Sequence, residues 1–236
     1  MKCGQFLAGF WMGQSERLKA IVLRRTNYAE ADRVLQLLTS KGRRSVIAKG
    51  VRRERSKLAG GIELFAICDV VIRSGRGDLG LLTSARLAAF YRHILEDYER
   101  MQFAYAAMKL VSAASENIDE PEWYFVLSQV LEQLNNPAVN QKLIETWFYL
   151  QYASLLGDEL NLRTDVAAQA LSPDKKYMYD SAEKGLRLAE QGDLSADAIK
   201  LLRLIQAKPL ANVAQIGGIT EVINDCWLAA RQHAAV

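Results

Sequence analysis

The sequence predicts an α+β protein: a small closed β-barrel over residues 17–86, then an all-α domain over 87–236. Three observations carry that reading. The hydrophobic period changes near residue 86, from short alternating runs to helical spacing. Turn-forming residues divide the first part into five short runs with no helix of length between them, which fits a small barrel. The charge changes sign at the same place. Residues 1–86 hold 17 lysines and arginines against 7 acids, a net of +10, whereas 87–236 carry −7, and the whole chain is +3. An SH3-like barrel satisfies the same strand pattern.

Residues 1–16 read as an extension ahead of the fold. They resemble a secretory leader, but Gly9 interrupts the apolar stretch and no small-x-small cleavage site follows. Strands are expected at 19–26, 33–39, 44–48, 62–74 and 79–85, rich in Val, Ile and Leu. Turns separate them at 27–32, 40–42, 58–61 and 74–78. In the fourth strand Ala66, Cys68, Val70 and Ile72 share one face, with Phe65, Ile67, Asp69, Val71 and Arg73 on the other.

Beyond Leu87, helical spacing links Trp123, Leu127, Val130, Leu131 and Leu134, and then Ile144, Trp147, Phe148 and Leu155. Asp119 with Glu122 predicts a capping box, and Asn136-Pro137 an N-cap and first helical residue. Ile219, Val222, Ile223, Cys226, Trp227 and Ala230 form a last apolar stripe, with Thr220 as its cap. Segment 158–192 lacks a sustained period and reads as an irregular hairpin insertion, with 176–180 as a short strand. Three of the four tryptophans lie in this half, so it can hold a core of its own. The aromatic-rich segments 123–125 and 147–152 read as core, although a groove for a partner peptide uses the same residue types.

Three distant cysteines, Cys3, Cys68 and Cys226, argue against a disulfide framework and for a reducing, cytoplasmic setting. No apolar run is long enough to cross a bilayer. Nothing nominates a metal site or an enzyme: there is no CxxC, His93 and His233 are far apart, and no nucleotide-hydrolysis or nucleophile motif appears. Gly75, Gly77 and Gly80 match the dinucleotide fingerprint, but no helix opens after them, so a hairpin turn is the better reading.

The strongest local feature is the run 41–57, KGRRSVIAKGVRRERSK. It holds eight cations (Lys41, Arg43, Arg44, Lys49, Arg52, Arg53, Arg55 and Lys57) and one acid, Glu54. Such a run in a basic half-chain points to phosphate-backbone binding, which gives affinity without sequence choice. Arg76 is a further phosphate contact, and Tyr28, beside a turn, is the candidate for base stacking.

Across about 70 residues, the segments AIVLRRTNYAEADRVLQLLT (20–39), VIAKGVRR (46–53), the 56–61 turn and SGRGDLGLLTSARL (74–87) resemble the RecO family in order and spacing. ERMQFAYAAMKLV (99–111) and WFYLQYASLLG (147–157) extend the likeness more loosely. The resemblance implies an N-terminal OB fold and a helical C-terminal domain. It further implies a nucleoid-associated mediator of DNA repair and recombination in the RecF pathway. Such a mediator binds single- and double-stranded DNA, anneals strands and loads recombinase with two partners, RecR and single-stranded DNA-binding protein. The acidic tail of the latter, ending in an apolar residue, would dock on the helical half, where Arg100, Lys109, Lys142 and Arg203 are the available cations. Many members carry a four-cysteine zinc hairpin after the LLG segment. Here that region has no cysteine, so no zinc is expected, and Leu171, Tyr177 and Tyr179 are left to hold the hairpin by packing. The rival reading is an RNA-binding or protein-interaction module built on an OB-like barrel.

Overall fold

The first five strands close on themselves. The computed structural model describes residues 15–75 and 77–235. Its barrel has the ring order β1–β2–β3–β5–β4, formed by β1 (Ser15–Tyr28), β2 (Asp32–Thr39), β3 (Gly42–Ala48), β4 (Ala66–Arg73) and β5 (Leu79–Phe90). Neighbours run antiparallel except β3 and β5, which are parallel through Ser45–Leu79 to Ile47–Leu81. β1 is long enough to serve two partners. Its first part pairs with β4 and its second with β2, and a register irregularity between Val22 and Arg24 lies within the second part, where an extra residue bends a strand.

The expected alternation in β4 is present. Ala66, Cys68, Val70 and Ile72 line the barrel interior with Leu18, Val22, Leu35, Leu37, Val46 and Leu82. β4 is shorter than the expected 62–74, because 59–61 form a 3-10 turn. β1 and β5 are longer than expected, beginning at Ser15 and ending at Phe90.

Among the described residues six α-helices follow: α1 (Tyr98–Asn117), α2 (Glu122–Leu134), α3 (Gln141–Leu155), α4 (Ala196–Ala207), the short α5 (Leu210–Val213) and α6 (Ile223–His233). A two-stranded hairpin, β6 (Tyr177–Asp180) and β7 (Gly185–Leu188), lies between α3 and α4. Three helices start where a short polar side chain takes up free backbone N–H groups: Asp97 for α1, Asn140 for α3 and Ser195 for α4.

The three caps expected from sequence are elsewhere. α2 starts after Pro121 with no side-chain cap, because Asp119 is bonded to the barrel instead. α3 starts at Gln141, four residues past Pro137, and α6 starts at Ile223 without Thr220. Asn136 and Pro137 belong to a turn held by Arg100, whose buried guanidinium donates to the carbonyls of Leu134 (2.9 Å), Asn136 (3.0 Å), Pro137 (3.3 Å) and Val139 (2.7 Å). Arg100 is thus a structural cation, not one available to a partner.

The two halves share one core. Ile21, Leu38, Phe65 and Ile67 point out of the barrel and join the helical cluster around Trp123, Phe103 and Phe148. Phe65 takes a left-handed backbone (φ 54°), an uncommon state for an aromatic residue that its surroundings hold in place. Its ring is buried edge-on against Tyr105 at 4.8 Å, and its carbonyl accepts from Tyr91 N at 3.0 Å. The expectation of an independent helical core therefore needs correction: part of that core is supplied by strands.

The insertion is held by packing and hydrogen bonds. Tyr177 is buried, and Leu171 and Tyr179 pack against the core. Tyr179 Oη meets His233 Nδ1 at 3.1 Å, and His233 Nε2 donates to Asp158 O at 2.7 Å. That carbonyl can only accept, which places the ring proton on Nε2. Asp158 is paired with Lys184, and this bond holds its carboxyl below the ordinary range. No group of three or more metal-ligating side chains occurs among the described residues, so the residues present do not fit the zinc hairpin.

Candidate nucleic-acid interface

Strand geometry divides the basic run. Successive side chains on β3 face opposite ways, and its seven residues span about 20 Å. Lys41 and Arg44 are at its start, with Lys49 and the cations of 52–57 beyond its end. Lys41 pairs with Glu16 at 2.7 Å. Arg44 lines a small crevice with Glu16, Ile72, Gly75 and Gly80, and donates to Arg43 O at 2.7 Å. Arg76 lies outside the described residues.

Arg43 is committed to the helical half. Its backbone N donates to Asp119 Oδ1 at 2.5 Å, Nη1 to Ser112 O at 3.0 Å and Nη2 to Glu116 at 2.8 Å, and its side chain is only 13% exposed. The Asp119 carboxylate also sits where a Cβ at Gly42 (φ +89°) would go, so glycine is required by both backbone and contact. Arg43 is a brace between barrel and helices, its guanidinium engaged by Ser112 and Glu116.

The loop after β3 is built, not loose. Val51 is buried in the barrel core and Leu58 packs against it. Between these anchors, Gly50 N donates to Asp32 Oδ1 (2.7 Å), Arg52 N to Ala31 O (2.9 Å), Arg53 N to Gly50 O (3.1 Å) and Ser56 N to Arg53 O (3.0 Å). Lys49, Arg52, Arg53, Arg55 and Lys57 are exposed and form no ion pair with a described residue.

The bonds to Ala31 and Asp32 bring this loop against the β1–β2 turn, where Tyr28 is 56% exposed. Arg24 lies on the same outer face of β1 as Tyr28, two alternations away, and Arg33 pairs with Ala48 beside Lys49. Sequence reading missed both arginines. Their signal is weak, since one cation per strand becomes a patch only when the strands are paired. β4 and β5 pair antiparallel on either side of the glycine-rich segment.

A second feature lies on the helical half. Phe103, Tyr149 and Trp227 line a groove of about 460 Å³ between α1, α3 and α6. Lys142 Nζ and the Arg231 guanidinium lie 5.2 and 5.3 Å from the Trp227 ring, within cation–π range. Trp227 Nε1 donates to Glu145 at 2.6 Å, and Glu99 lies on the same rim. Burial and the Glu145 carboxylate push the Tyr149 hydroxyl up to about 12. Arg203 lines a different cleft and donates twice to Leu162 O, and Lys109 is exposed on α1.

The family "Recombination protein O N terminal" matches residues 12–91, and "Recombination protein O C terminal" matches 95–232. The chain belongs to the RecO family. Relatives named DNA repair protein RecO include one from Roseiflexus sp. (30% identical, covering 82% of this chain and 71% of the relative). Those from Dehalococcoides mccartyi (28%, 92% and 88%) and Rubrobacter xylanophilus (29%, 88% and 87%) are similar over still more of the chain. RecO relatives thus support a role in DNA repair and recombination. The boundary between the two RecO matches falls at residues 91–95, where β5 ends and the 3-10 turn leading to α1 begins. No helix among the described residues is long and apolar enough to cross a membrane.

Proposed function

We propose that this RecO-family chain is a non-catalytic DNA-binding recombination mediator whose barrel is of the OB type. It works in the RecF pathway with RecR and single-stranded DNA-binding protein. The observation that carries this is the 49–58 loop. Four exposed cations (Arg52, Arg53, Arg55 and Lys57) sit between two apolar anchors, Val51 and Leu58, against a turn presenting Tyr28. A loop held at both ends presents its cations to phosphate at little further ordering cost. The patch has one exposed aromatic side chain, so binding is electrostatic, sequence-tolerant and strongly salt-dependent.

The Trp227 groove is the place for the acidic tail. Lys142 and Arg231 meet its carboxylates, and Phe103 and Tyr149 take its apolar end. A titration of labelled single strands, duplex and RNA against salt tests the reading. Log K falls with log[salt], and on single strands Arg52→Ala/Arg53→Ala/Arg55→Ala makes the slope shallower by about two units. A triple variant that keeps affinity and slope removes the loop from the site. A clear preference for RNA favours an RNA-binding module.

A further inference from the structure

In a five-strand ring of order β1–β2–β3–β5–β4, the seam between β1 and β4 is the part farthest from β3. The outer face at that seam is basic. Cross-strand register places Lys19 opposite Asp69 and Asp69 opposite Arg86. The next row outward is Arg17, Val71 and Ser84, and the one after it Ser15, Arg73 and Leu81. Arg17, Lys19, Arg73 and Arg86 are all exposed, and none forms an ion pair with a described residue. One acid, Asp69, stands among these four cations.

The row on the other side, Ile21 and Ile67, is covered by the helical core, so the basic rows begin where that cover stops. Arg17 and Lys19 are about 7 Å apart along β1, and adjacent strands are about 5 Å apart, which sets the cations out as a grid. Four cations this close raise one another's electrostatic energy unless an anion neutralises them.

We propose that this β1–β4–β5 face binds a second nucleic-acid strand, apart from the one held at the 49–58 loop. The proposal rests on the reading of the loop as a DNA grip. A nucleic-acid backbone fits better than an acidic peptide. Its apolar side chains Val71 and Leu81 are half-buried, and the exposed charged groups of the face are its cations and Asp69. It carries no aromatic residue, so the contact is to phosphate and tolerates any sequence.

The test is the stoichiometry of the full-length protein with oligothymidylate of about eight nucleotides, within the range held by one OB-type barrel. Native mass spectrometry at low salt reads oligonucleotides per chain. The wild type holds two. Arg17→Ala/Lys19→Ala/Arg73→Ala/Arg86→Ala holds one, and so does Arg52→Ala/Arg53→Ala/Arg55→Ala. If the fourfold variant melts early, the milder Arg17→Gln/Arg86→Gln replaces it and must weaken the second binding event at least several-fold. A face variant that still holds two oligonucleotides overturns the proposal. So does a wild type that holds only one, lost with the loop cations, and that result leaves the loop reading intact. A wild type that binds no oligonucleotide defeats the loop reading itself. Binding of a polyglutamate peptide to this face, in place of a second oligonucleotide, marks it as a protein contact and also overturns the proposal.

Discussion

Replacing Arg43 by alanine separates what this cation does from what its sequence neighbours do. Its guanidinium donates to the partly buried Ser112 carbonyl at 3.0 Å and to Glu116 at 2.8 Å. A bond from a charged donor to a carbonyl is worth about 1.5 kcal/mol net. The Glu116 side chain is 59% exposed, so that ion pair adds about 0.5 kcal/mol. The backbone bond to Asp119 survives the substitution. The expected loss is about 2 kcal/mol. At ~2–4 °C per kcal/mol for a chain of this size, the melting temperature falls by about 4–8 °C. The salt slope of DNA binding stays as in the wild type. The loop variant Arg52→Ala/Arg53→Ala/Arg55→Ala does the reverse, losing slope but keeping its melting temperature. Calorimetry and salt-dependent anisotropy on the two proteins read both effects. An Arg43→Ala protein with an unchanged melt and a slope shallower by about 0.7, one lost phosphate contact, refutes the assignment of Arg43 as a brace.

Other outcomes follow from the same interactions. Arg100→Met leaves four carbonyls without their donor and lowers stability by about 3–5 kcal/mol, and Arg100→Lys recovers only part of it because an ammonium cannot fork. Urea unfolding of both variants checks this, and a methionine variant of wild-type stability contradicts it. A fragment of residues 87–236 lacks Ile21, Leu38, Phe65 and Ile67 and does not unfold cooperatively. A sharp calorimetric transition in that fragment would show the shared core to be dispensable. Burial pushes the Cys68 thiol from 9.0 up to about 11 and Cys226 to about 12. The folded state then holds these protons more tightly. Stability is unaffected below pH 9 and falls as pH rises from there towards 12. Urea midpoints across that range show the fall, and Cys68→Ala/Cys226→Ala makes it shallower without abolishing it, because burial also raises Tyr124 and Tyr149 to about 12; an equal slope in the double variant assigns the effect to other groups.

Much of the fold was legible because burial imposes a period. The face of Ala66, Cys68, Val70 and Ile72 and the stripes through α2 and α3 depend only on which side of an element meets the core. What failed depended on partners distant in sequence. Asp119 has the spacing of a cap, but a backbone N–H across the domain boundary, on Arg43, outbids the helix end. Asn136-Pro137 has helix-start chemistry, but Arg100 collects the local carbonyls into a turn. The basic run was legible as charge and not as a surface. On β3 the residues Arg43 and Arg44 are neighbours in sequence and face opposite ways, one into the helical half and one to the barrel end. Arg24 shares the outer face of β1 with Tyr28, a neighbourhood that only strand geometry reveals.

The core shared by barrel and helices has a mechanical consequence. Nothing between the two halves is a tether: β5 passes through one 3-10 turn into α1, and Arg43 and Phe65 fasten strand to helix on either side. If the two proposed sites are both used, a ligand on the loop and a peptide at Trp227 are held at a fixed separation and orientation. The protein supplies no slack with which to bring them together. Whatever reach a handover between those two sites demands must come from the looseness of the strand or of the peptide, and lengthening either one changes the rate of exchange without changing the affinity at its own site.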